Sequence, residues 1–127
     1  MLRKIDRFED LIAWRKARDL TRAIYQVTRR EEFARDFGLA RQVQRAAGSI
    51  MSKLAEGCEG GSRGEFYQFL STAKASCVEI CSHIDVALDV GYLDRTTLTN
   101  LPDKAAEVAR IVGSLRSAVA MQRDEHR

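Results

Sequence analysis

The sequence predicts an all-α protein, an antiparallel up-and-down four-helix bundle, and three observations carry that prediction. Apolar residues recur at spacings of three and four through four separate segments, the mark of a helix with one buried face. One Pro and eight Gly among 127 residues leave long stretches free of helix breakers. Strand-like alternation of apolar and polar residues is absent. A chain of 127 residues fits a single domain, 1–127, with short flexible ends over about 1–7 and 122–127.

The first helix is expected from about Phe8 to Thr28, where Leu11, Trp14, Ala17, Leu20, Ile24 and Val27 form the apolar stripe. Its other side carries Arg15, Arg18, Arg22 and Arg29, with Asp19 among them. A connector around Glu31 to Asp36 leads to a second helix marked by Leu39, Val43, Ala47, Ile50 and Leu54. Ala46, Ala47, Gly48 and Ser49 are small enough to admit a close neighbour, and the helix is expected to stop near Gly57. The run Cys58-Glu59-Gly60-Gly61-Ser62-Arg63-Gly64 then reads as a loop, because each Gly disfavours helix by about 1 kcal/mol relative to Ala.

Ser62 with Glu65 three residues later is a capping box, which opens the third helix. Its stripe is Phe66, Phe69, Leu70, Ala73, Cys77, Ile80, Ile84 and Leu88, and Gly91 can take the left-handed conformation that closes a helix. In the last segment Leu98, Ala105, Val112 and Val119 fall seven apart with Leu101, Val108 and Leu115 between them, a heptad-like seam. Pro102 interrupts this seam near its start. Either a short turn from Arg95 to Asn100 precedes a helix beginning at Pro102, or one helix is kinked there, and a kink or local break is the favoured expectation. Helices of about 20 residues, each ~30 Å long and joined by short connections, pack most simply antiparallel to their neighbours.

The chain contains no run of ~18 apolar residues to span a bilayer, and its charged start, Met1 to Arg7, precedes no signal-like apolar segment. A soluble, cytoplasmic protein is expected. Three cysteines, Cys58, Cys77 and Cys81, form no disulfide framework, so free thiols are expected. Cys77 and Cys81 lie beside the Ile80 and Ile84 stripe and read as small buried hydrophobes, while Cys58 in the glycine loop reads as exposed.

Catalytic and cofactor chemistry has little to build on. The metal site of a four-helix bundle draws on Glu-x-x-His pairs, and none occurs; Glu79 and His83 are four apart, which suits a contact within one helix. The glycine loop follows a helix rather than a strand and lacks the Lys-Ser or Lys-Thr of a phosphate-binding loop. No enzyme activity, no cofactor and no metal are expected.

Several strings together resemble a known family. Phe8-Glu9-Asp10-Leu11 with Trp14-Arg15-Lys16-Ala17 and Ile24-Tyr25, then Phe37-Gly38-Leu39, Gln42, Arg45-Ala46-Ala47, Ser49-Ile50 and Ala55-Glu56-Gly57, resemble the family known as four helix bundle proteins. Glu65-Phe66, Phe69-Leu70, Ala73, Ser76, Glu79 and Gly91-Tyr92-Leu93 continue the likeness, which covers roughly residues 8 to 93. The family includes members encoded by intervening sequences within large-subunit ribosomal RNA genes. It is similar to the accessory variability determinant of diversity-generating retroelements, a basic pentameric bundle that engages nucleic acid and a reverse transcriptase. The resemblance implies a homopentameric ring of bundles, a cytoplasmic location and no catalysis. The chain departs from the family pattern at Glu32-Phe33-Ala34, where a Phe-Pro step is usual, so this connector is expected to be more helical. Gln44 and Lys53 also replace the family's usual residues in the second helix, one losing a positive charge and the other gaining one.

Charge is unevenly spread. Residues 1–63 hold 14 Lys and Arg against 9 Asp and Glu, while residues 64–127 hold 7 against 9. Arg15, Arg18, Arg22 and Arg29 on the first helix, with Arg41, Arg45 and Lys53 on the second, are the candidate contacts to structured RNA or a ribonucleoprotein. The alternative is a protein-binding adaptor or scaffold in which the same asymmetry serves self-assembly; charge alone does not choose. Most aromatic residues fall on or beside apolar stripes, but Tyr67 is turned away from Phe66 and Phe69 and is the candidate subunit-interface aromatic.

Overall fold

The computed structural model describes residues 11–96 and 100–125, and among these it is all helix, with no strand. Five helices follow in order: α1 (Ile12–Thr28), α2 (Glu31–Arg35), α3 (Phe37–Glu59), α4 (Arg63–Asp89) and α5 (Leu101–Glu125). The long ones are the four expected from periodicity; α2 is a single extra turn. Phe8, Glu9, Asp10 and Leu98, on which part of the sequence reading rested, lie outside the described residues.

Why α2 exists follows from the residues that replace the usual Phe-Pro step. Ala34 keeps the backbone N–H that Pro would lack, and it donates to Arg30 O at 3.0 Å. Phe33 is thereby turned inward and buried, and Tyr92 stacks on it with ring centroids 5.4 Å apart. Asp36 then caps α3, its Oδ1 accepting from Leu39 N at 3.1 Å.

The long helices share one core. Leu20 and Ile24 of α1, Ile50 and Leu54 of α3, Leu70 and Ile80 of α4, and Val108, Val112 and Val119 of α5 are fully buried. α1 packs against α3 and α5, and α4 packs against the same two. α4 runs opposite to both α3 and α5: Tyr92, just past the end of α4, reaches Asp36 at the start of α3, and Arg63 at the start of α4 donates to Gln122 O near the end of α5 at 3.0 Å.

Close approach of α3 and α4 depends on Gly57. A Cβ at that position would lie 2.6 Å from Phe66 Cδ1 and 3.3 Å from Phe69 Cβ, so the Phe66 ring and the Phe69 Cβ rest directly on the α3 backbone. Two polar cross-links sit within the seams. Ser76 Oγ donates to Ser49 Oγ at 3.3 Å between α4 and α3, and Arg116 Nε donates to Ser71 Oγ at 2.8 Å between α5 and α4.

Helix ends follow the local signals, with two corrections. The capping box forms: Ser62 Oγ accepts from Glu65 N at 3.1 Å and Glu65 Oε1 accepts from Ser62 N at 3.0 Å. At the other end of α4, Gly91 takes φ +85° and donates to Leu88 O, while Tyr92 N donates to Ala87 O at 2.9 Å. This paired closure turns the chain sharply and buries Leu93. The first correction is that α3 continues through Cys58 to Glu59, so Cys58 is half-buried in its last turn rather than exposed in a loop. Gly57 does not stop the helix because it is buried against the Phe66 ring and Phe69 Cβ, and packing outweighs its poor propensity.

The second correction concerns Pro102. It does not kink a helix; α5 begins at Leu101, which places Pro102 in the first turn, where a backbone N–H has no intrahelical acceptor to lose.

Candidate nucleic-acid interface

The helical period sets Arg15, Arg18, Arg22 and Arg29 on the side of α1 opposite buried Ala13, Ala17, Leu20 and Ile24. All four are exposed. Aromatic rings hold two of them in place: the Arg18 guanidinium lies 5.9 Å from the centre of the Trp14 ring, and that of Arg29 lies 5.6 Å from Tyr25. Arg22 approaches Asp19 at 3.8 Å, but both side chains are exposed, and such a pair contributes little.

α3 brings its own cations to the same side. Arg41 and Arg45, one turn apart and exposed, line a groove with Tyr25 of α1 and with Gln44. Among the described residues, neither arginine has a carboxylate within ion-pair distance. Gln44 is anchored rather than free: its Nε2 donates to Thr28 Oγ1 at 2.9 Å, and that buried hydroxyl donates to Ile24 O, also at 2.9 Å. Six of the seven candidate cations therefore lie on the outward sides of α1 and α3. Lys53 does not join them, being half-buried at the seam with α4, 5.5 Å from the Phe69 ring and 3.5 Å from Glu56 Oε2.

Tyr67 is half-buried on the α4–α5 seam, with the Arg116 guanidinium over its ring at 4.8 Å. Lys16, the remaining cation of α1, is turned toward α5 and pairs with Glu107 at 3.3 Å. What sequence reasoning missed is the meeting of Tyr25 and Gln44 with Arg41 and Arg45. Tyr25 four residues before Arg29 on the polar face of α1 was the available signal; the groove itself depends on how α1 and α3 pack.

Other parts of the surface offer less to an anion. The groove lined by Arg29, Arg30, Glu31, Glu32, Gly91 and Tyr92 mixes both signs of charge, and the one lined by Ser62, Gly64, Glu65, Gln68 and Phe69 is acidic. At the start of α4 the Glu65 carboxylate occupies the position an anion would take.

Among the described residues, no three His, Cys, Asp or Glu side chains converge on one point. The Glu79 Oε2 to His83 Nε2 contact, 3.2 Å, stays within α4. Cys77 is buried as expected, and burial pushes its thiol up to about 11, with the charge of Cys81 adding to it. Cys81 is exposed, which corrects its assignment to the core: it lies off the inward line of Cys77, Ile80 and Ile84. Its thiol is also raised, by partial desolvation and by Asp85. Both stay protonated near neutrality and are poor nucleophiles.

Known proteins place this arrangement in context. A comparison with curated proteins finds no match. Among solved structures, the chain is similar to a Bacteroides thetaiotaomicron protein of unknown function from the S23 ribosomal protein family. The two share 17% identity and superpose with a TM-score of 0.77 over 86% of this chain and 98% of the other, so they have the same fold. The family model of the 23S rRNA-intervening sequence protein matches residues 9–114. That match spans α1 to the middle of α5, and with it the whole basic face, so the chain belongs to the 23S rRNA-intervening sequence protein family.

Proposed function

We propose that this protein is a non-catalytic helical module that contacts structured RNA, or a ribonucleoprotein, through the basic face of α1 and α3. The observation that carries the reading is the gathering of Arg15, Arg18, Arg22, Arg29, Arg41 and Arg45 on the outward sides of two adjacent helices. Phosphates are neutralised by such a face with little regard to base sequence. The family's name, and the ribosomal family of the structural relative, support RNA as the polyanion.

The reading takes the whole chain as one domain, its four long helices forming an up-and-down bundle, and places it in the cytoplasm. No described helix is long and apolar enough to cross a membrane. It also takes the working form to be a homo-oligomer, a ring of five on the family resemblance. Val78 and Val86 support self-association, since both are exposed on α4, away from the basic face, at 63% and 43%. Tyr67 borders this side through the α4–α5 seam and is proposed to belong to the interface. The same valines favour the second reading, an adaptor that binds only protein.

Filter binding of ribosomal RNA across a salt series separates the two readings. RNA contact requires affinity that falls steeply with salt, and an Arg15→Gln, Arg22→Gln, Arg45→Gln variant should show a slope shallower by about two to three while remaining folded. Retention indifferent to salt, or none in the unaltered protein, would reject RNA contact.

A further inference from the structure

We infer that the groove between α1 and α3 receives an unpaired nucleotide of RNA, its base against Tyr25 and its phosphates on Arg41 and Arg45. The inference rests on the RNA-contact reading and narrows it from a charged face to a site for single-stranded segments. Phosphate attraction needs only cations; an aromatic ring set among them serves a duplex poorly, because paired bases present no free face to stack.

The groove has a volume of about 420 Å³ and, among the described residues, is lined by Tyr25, Arg41, Gln44 and Arg45. That lies within the range of small-ligand sites, ~300–1,000 Å³. Among the described residues its lining carries positive charge and no carboxylate, unlike the two grooves that contain Glu31 and Glu32, or Glu65. Tyr25 remains 37% exposed although Arg29 lies over its ring, so an arginine-backed aromatic surface is already ordered before any ligand arrives.

Gln44 adds a polar group of fixed orientation. Its amide nitrogen is tied to Thr28 Oγ1, and its carbonyl oxygen has no donor among the described residues. That oxygen can accept from the amino group of a base whose pairing edge is open. Arg41 and Arg45, one turn apart on the same helix, reach the flanking backbone.

The test compares two RNAs by fluorescence anisotropy: a fully paired duplex, and the same duplex interrupted by a bulge of unpaired nucleotides. The unaltered protein should bind the bulged RNA about tenfold more tightly. Tyr25→Leu should lower that affinity to the level of the paired duplex, and Tyr25→Phe, which keeps the ring, should retain the preference. A thermal melt confirms that each variant is folded. Equal binding of both RNAs, or an undiminished preference in Tyr25→Leu, overturns the groove inference while the basic-face reading stands. Failure to bind either RNA removes both.

Discussion

Gly57 is the residue on which the α3–α4 contact is most sharply focused. Ala is the better helix former by about 1 kcal/mol, so propensity alone predicts that Gly57→Ala stabilises the protein. A methyl 2.6 Å from the Phe66 ring reverses the sign, because the ring packs between helices and must be displaced. Gly57→Ala should lower stability by about 1–3 kcal/mol in urea unfolding, and a gain would show that Phe66 moves freely. Cys77 makes a prediction in pH. Its folded value near 11 exceeds the ordinary thiol value of 9.0, so the folded state holds the proton longer than the unfolded state. Its contribution is fully present below pH 9 and is lost as pH rises toward 11. The difference in stability between the unaltered protein and Cys77→Ala should shrink by about 2 kcal/mol across that window. A constant difference would show that the thiol titrates normally.

At the scale of elements, the ends of α4 are fixed by different means. Its start is local: Ser62→Ala removes one half of a reciprocal cap and should cost about 1 kcal/mol, read from the denaturation midpoint. Its end is tertiary. The Tyr92 hydroxyl donates to Asp36 Oδ2 at 2.9 Å while its ring stacks on Phe33, tying the close of α4 to α2 and to the cap of α3. That hydrogen bond, more than desolvation, raises the phenol above its usual range. Tyr92→Phe should lower the melting temperature, and Tyr92→Ala should lower it further through loss of the ring. Equal losses would mean that the hydrogen bond, not the stack, joins the elements.

At the scale of the whole molecule, the clustered arginines and the exposed valines stand on different helices. The outward sides of α1 and α3 carry the clustered arginines, whereas α4 exposes Val78 and Val86. If the valines mediate assembly, Val78→Glu should reduce the mass found by light scattering to that of one chain, 14.3 kDa, without lowering helicity. An unchanged multimer would locate the interface elsewhere. Because Val78 lies away from the arginines, the same variant should retain salt-dependent RNA binding, reduced only by the loss of multivalency.

Periodicity alone marked the four long helices and most of their buried residues, because a stripe at helical spacing has one way to leave water. Capping signals marked Ser62, Glu65 and Gly91, whose roles are settled within a few residues of chain. Tertiary structure decided what depends on distant partners: that Gly57 stays helical against Phe66, that Cys81 faces outward, that Lys53 lies against the Phe69 ring, and that Tyr25, Gln44, Arg41 and Arg45 share one groove. Local sequence fixes which side of a helix is apolar. How two helices turn their polar sides toward each other is set by how their apolar sides interlock, and that is a property of the pair.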